Sequence, residues 1–136
     1  MKDELEQKLK QKYPKLLGKL PYFECGEGWY PIIDNMCYQI QRNFERKSKV
    51  NPEIEQPEFV QIKEKFGGLR AYTNGHDEYT DAIINMAESM SVFTCENCGN
   101  LGKTRIIGTW FTTCCQICAD KVYKRNENVE AKNEEE

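Results

Sequence analysis

Apolar residues recur at three and four residues in three stretches of the chain and fall into two hairpin-like patterns elsewhere. Over residues 3 to 20, Leu5, Leu9, Tyr13, Leu16, Leu17 and Leu20 lie on one helical face, with lysines and glutamates opposite. Pro14 divides this stretch. The residue before a proline avoids the α region, so the pattern predicts a helix to about Lys12 and then a short turn from Pro14 to Gly18. The stripe reads as a core-packing face rather than a partner-helix surface. Pro31 suits a first helical turn, and Ile33, Met36, Cys37, Ile40 and Phe44 predict a helix over about 30–46. A polar, proline-marked loop, KSKVNPEIEQP, follows.

EFVQIKEKFGGLRAYTNG predicts an antiparallel β-hairpin over about 58–73. With Gly67-Gly68 as a two-residue turn, Phe66 pairs with Leu69, Lys65 with Arg70, Lys63 with Tyr72 and Ile62 with Thr73. Opposed residues share a face. One face then carries Val60, Ile62, Phe66, Leu69 and Ala71, and the other Lys63, Lys65, Arg70 and Tyr72. A four-residue loop preserves that partition, whereas a three-residue loop scrambles it. HDEYTDAIINMAESM predicts a helix over about 77–91, with Tyr79, Ile83, Met86, Ala87 and Met90 inward and Asp77, Glu78 and Asp81 at its start.

The last third is organised differently. CENCGNLGKTRIIGTWFTTCCQIC places Cys95 and Cys98 two residues apart, and Cys115 and Cys118 likewise, with sixteen residues between the pairs. Two such pairs predict a tetrahedral zinc site, because each C-x2-C turn converges two thiolates on one ion. KTRII and TWFTT flank Gly108 as a second hairpin, and the second pair opens a helix from about Cys115 to Arg125. Helix-start N–H groups there favour thiolate. Knuckle, hairpin and ligand-bearing helix describe a treble-clef finger, with a zinc ribbon as the alternative. Cys114 competes with Cys115 as ligand, and a disulfide framework is the other reading of the pairs. Four cysteines close the coordination sphere, so the zinc expected here is structural rather than catalytic.

The fold expected is α+β: helices packed on a short antiparallel hairpin, with a C-terminal treble-clef-like, four-cysteine zinc module. It divides into an α+β domain over 1–92, a zinc module over 93–126 and a disordered acidic tail over 127–136. Charge supports that division. The net charge is -3, and the tail from Asn126 holds five glutamates against one lysine, so the remainder is close to neutral. The opening residues MKDELEQKLKQK carry no apolar signal core, and the seven cysteines are an odd number. Both point to a reducing, cytoplasmic setting without membrane insertion.

Candidate chemistry narrows the function. His76 is the only histidine and cannot serve as general base and second metal ligand together, so no catalytic residues are assigned. A carboxylate site of Glu24, Glu27 and Asp34 has no further support. Cys37 reads as a core thiol and Cys25 as an unreactive loop cysteine. Lys63, Lys65, Arg70 and Tyr72 form a candidate face for a nucleotide or other anionic ligand, the competing reading being a solvated sheet face. Lys103, Arg105, Lys121, Lys124 and Arg125 surround the metal, either to contact nucleic-acid phosphates or to neutralise the charge of four thiolates on zinc.

The strings YPKLL, ECGEGWYPIID, VQIKEKFGGLRAYTNG, INMAESMS and TCENCGNLGKTR, in this order, resemble a family of small uncharacterised zinc-binding proteins of bacteriophages and prophages. The resemblance spans roughly residues 12 to 120. Many members carry a longer cysteine-bearing insert where this chain has only GKLPYF, so nothing attached to that insert carries over. The resemblance implies a phage accessory protein acting in the host cytoplasm and raises a host defence or regulatory component as its target. Binding rather than catalysis is therefore expected, with a protein partner first and nucleic acid or an anionic ligand second.

Overall fold

The computed structural model describes residues 1–75 and 77–122. His76, the end expected for the last helix with Lys124 and Arg125, and the acidic tail lie outside the described residues. Two helices open the chain, α1 (Asp3–Lys12) and α2 (Pro14–Leu17), split at Tyr13 where φ and ψ leave the helical region ahead of Pro14. After a 3₁₀ turn (Glu27–Trp29) comes α3 (Tyr30–Val50), longer than its apolar stripe because the polar KSKV stretch continues it. Strands β1 (Glu58–Lys65) and β2 (Gly68–Asn74) pair antiparallel, and α4 (Glu78–Ser91) follows. A second hairpin, β3 (Lys103–Ile107) with β4 (Trp110–Cys114), leads into α5 over 116–122. Among the described residues no helix is long and apolar enough to cross a membrane.

One core joins Leu9, Leu16, Leu17 and Leu20 to Trp29, Ile33 and Ile40 of the middle segment and to Phe59, Ile62 and Leu69 of the first hairpin. The second cluster is small: Cys95, Ile107, Cys114, Cys118 and Ala119. So little apolar surface cannot by itself order the C-terminal module.

The first hairpin departs from the expected register. Its turn is Phe66-Gly67, both at positive φ (53° and 83°), which sets Lys65 opposite Gly68, Lys63 opposite Arg70 and Gln61 opposite Tyr72. A bulge between Phe59 and Gln61 turns Val60 outward and brings Phe59 into the core. The shift is by an even number of positions, so Lys63, Lys65, Arg70 and Tyr72 still share a face. Phe66, expected inward, stands exposed at the tip.

Two helix faces also differ from expectation. In α4 the buried positions are Thr80, Ile84, Ala87 and Ser91, while Met86 and Met90 are exposed. That helix packs on both α3 and β2, so its inward face lies between the two. Ser91 completes it, its hydroxyl accepting from the Leu69 N–H at 2.9 Å. In α3 the stripe ends on buried Asn43, with Phe44 only half-buried.

Candidate metal centre

The sulfurs of Cys95, Cys98, Cys115 and Cys118 all lie within 4.8 Å of one another, an arrangement able to hold a metal ion. All seven cysteines are free thiols. Cys98 Sγ and Cys115 Sγ stand 3.6 Å apart, far beyond the disulfide length of about 2.05 Å. Cys114 is not part of the group. It pairs with Lys103 across the hairpin and is buried in the small core.

Each pair is shaped by its local backbone. The first is a knuckle in which the Gly99 N–H donates to the Cys95 carbonyl at 2.9 Å and Gly99 adopts φ 83°. The second pair straddles a helix start. Cys115 sits just before α5, its carbonyl accepting from Ala119 N–H at 3.0 Å and its sulfur from Cys118 N–H at 3.5 Å, as a capping side chain does. Asn97 Nδ2 donates to Cys118 Sγ at 3.3 Å, so a side chain of one knuckle orients a sulfur of the other.

Electrostatics show what a cation would offset at these thiols. Burial opposes ionisation of Cys95, but the N–H groups of Cys115, Cys98 and Asn97 outweigh it and pull the thiol down to about 6. At Cys98 the Asn100 N–H favours thiolate, yet desolvation and the other sulfurs push the thiol up to about 12. Clustered sulfurs resist charging together unless a positive ion compensates them. Arg105 contributes structurally, its guanidinium donating to the Cys114 carbonyl and to Gln116 Oε1, both at 3.1 Å.

The GEGW stretch, unreadable from sequence, proves to be the seat of the first knuckle. Gly28 N–H donates to the Glu96 carbonyl at 2.7 Å, Gly26 N–H to Glu96 Oε1 at 2.9 Å and Trp29 Nε1 to the Thr94 carbonyl at 2.9 Å. A Cβ at Gly28 would overlap the Cys95 carbonyl oxygen, so only glycine lets the two backbones approach so closely. Cys25 beside this seat is buried, which with nearby Glu96 pushes its thiol up to about 12. Cys37 is wholly buried and its thiol is raised by desolvation. Neither is a nucleophile in this setting.

The basic hairpin face has its own geometry. Lys63 Nζ lies 6.0 Å from the Tyr72 ring centroid, while Arg70 turns onto the Leu69 carbonyl at 2.9 Å. Asp81 and Glu88 border the same groove as Arg70 and Tyr72. At the tip, Thr113 Oγ1 donates to the Gly67 carbonyl at 2.5 Å and the Phe66 and Phe111 rings meet edge-on at 6.2 Å, so the two hairpins are fused end to end. The carboxylates of Glu24 and Asp34 are engaged structurally: Glu24 Oε2 accepts from Gln61 Nε2 at 3.0 Å, and Asp34 accepts from Tyr13 and Lys12.

Comparison with known proteins found no matching protein-family model, no matching curated protein and no matching solved structure.

Proposed function

We propose that the chain is a non-catalytic binding protein in which one structural zinc ion fixes an aromatic surface that docks on another protein. Zinc–sulfur bonds of about 2.3 Å set tetrahedral edges of about 3.8 Å. The 3.6 Å between Cys98 and Cys115 suits them. Knuckle, hairpin and helix in this order support a treble-clef-like module. A sphere filled by Cys95, Cys98, Cys115 and Cys118 leaves no position for a reacting water, which supports binding over catalysis.

The observation that carries the docking surface is Phe66, which is 68% exposed and holds φ 53°. A bulky residue in the left-handed region is strained where glycine or asparagine would be at ease. Strain at an exposed aromatic points to a use outside the fold. Ile106 and Phe111, opposed on one face of the second hairpin, extend the patch, and Lys65 flanks it 5.6 Å from the Phe66 ring. Aromatic centres with charged margins are the composition of protein interfaces. The phage resemblance supports a partner in the host cytoplasm, with a defence component as the leading class.

Nucleic acid is the second reading, favoured by exposed Lys103 and Lys121 in the cysteine-bearing module, although Arg105 is engaged internally. A photo-crosslinking residue at Phe111, used in bacterial lysate with and without Phe66→Asn, separates the readings. Asparagine accepts the left-handed turn, so relief of strain offsets the lost ring contact and stability stays within about 1 kcal/mol. The expected result is a discrete protein adduct that Phe66→Asn removes. An adduct pattern no different from that of a probe at Tyr38 on α3 would overturn the proposal, and nuclease-sensitive adducts would favour the second reading.

A further inference from the structure

A cleft of about 400 Å³ lies away from the metal, between α3, the loop before β1 and the start of α4. That size falls in the range of small-molecule sites. Among the residues lining it is Asn43, 7% exposed, whose side-chain amide makes no hydrogen bond among the described residues. Amides of residues this buried are ordinarily paired within the protein, so one left open to a cleft is available to a ligand. Among the described residues the one fully enclosed side-chain polar atom without a partner is the Tyr30 hydroxyl, so the Asn43 amide opens to the cleft rather than being sealed in protein.

The surrounding groups define what fits. An asparagine amide offers donors and an acceptor side by side, the complement of a nucleobase edge. Phe44, Ile54 and Pro57 supply apolar walls for a flat ring. Charge sets the rest. Lys47 Nζ and Asp77 Oδ2 pair at 2.6 Å and neutralise each other, while Glu55 adds a carboxylate at the rim. No surplus cation remains among the described lining residues for a phosphate.

We propose that this cleft binds an uncharged nucleobase or nucleoside, with the Asn43 amide reading the donor–acceptor edge of the base and Phe44 packing on the ring. The site is independent of the metal centre and of the aromatic tip, so either can fail without the other.

The test uses the metal-loaded full chain, titrated by NMR and calorimetry with adenosine, guanosine, cytidine, uridine, adenosine monophosphate and ribose. At least one nucleoside should bind saturably, equally in low and high salt, and ribose should not. Asn43→Leu loses no internal hydrogen bond, so it should melt at or above the wild-type temperature while binding at least about tenfold more weakly. Lys47→Gln should alter affinity by less than about twofold, in keeping with a neutral ligand. Asn43→Asp removes the amide donors and serves as the second variant should the leucine form not fold. Absence of any nucleoside response at millimolar concentration would overturn the proposal, as would undiminished affinity in both Asn43 variants. Tighter, salt-sensitive binding of the monophosphate would replace it with an anion site.

Discussion

The Trp29 indole donates its N–H to the carbonyl of Thr94, one residue before the first cysteine of the four-sulfur cluster and sixty-five residues away in sequence. The main core and the metal module are therefore joined through a fully buried side chain. Loss of the metal should reach Trp29. In a Trp110→Phe protein, Trp29 is the sole tryptophan. Its fluorescence should shift to the red on treatment with a strong chelator and return when zinc is restored. An unchanged spectrum in a protein shown to have lost its metal would mean that the two parts are not coupled.

Two glycines offer a contrast in backbone approach. Gly28→Ala places a methyl group against the Cys95 carbonyl, where neither backbone can yield, and should cost on the order of 3 kcal/mol in urea unfolding. Gly108→Ala meets nothing within 4 Å and bears only the strain of φ 65°, about 1 kcal/mol. Equal costs would show that the Gly28 seat is not tightly packed.

Asp77 caps α4, accepting from the Thr80 N–H at 2.8 Å. Lys47 above all, and Thr80 next, hold its carboxyl down at about 2 against desolvation. A carboxylate depressed in the folded state stabilises it above the unfolded value near 4 and ceases to do so as pH falls through the folded value. Asp77→Ala should therefore cost about 1 kcal/mol at neutral pH, since the group is exposed and screened. The difference from wild type should hold down to about pH 4 and vanish near pH 2. Urea unfolding of both proteins across that range checks this, and a difference independent of pH would assign the cost to packing.

How much of this was legible follows from the range of each interaction. The helices, the hairpins and the cysteine spacing are local patterns, and the grouping of Lys63, Lys65, Arg70 and Tyr72 on one face of the first hairpin survived a wrong register because the error was even. What local pattern cannot supply is the partner of a distant segment. Gly26 and Gly28 serve Glu96 and Cys95 about seventy residues on, so nothing local in the GEGW stretch signals its role. Glycine preference placed the hairpin turn at Gly67-Gly68, yet the turn falls one residue earlier and sets Phe66 in the left-handed position, which its residue type does not signal. Met86 and Met90 scored as core by hydrophobicity, but α3 and β2 together select the neighbouring face of α4. Asn43 ended an apolar stripe unnoticed, since its unpaired amide exists only in three dimensions.

Elemental analysis of the purified chain, read alongside X-ray absorption at the zinc edge, tests the central proposal directly. One zinc per chain with four sulfur neighbours at about 2.3 Å, falling well below one in Cys98→Ser, is the expected result. A folded protein with no stoichiometric metal, or an absorption spectrum dominated by oxygen or nitrogen neighbours, would contradict it.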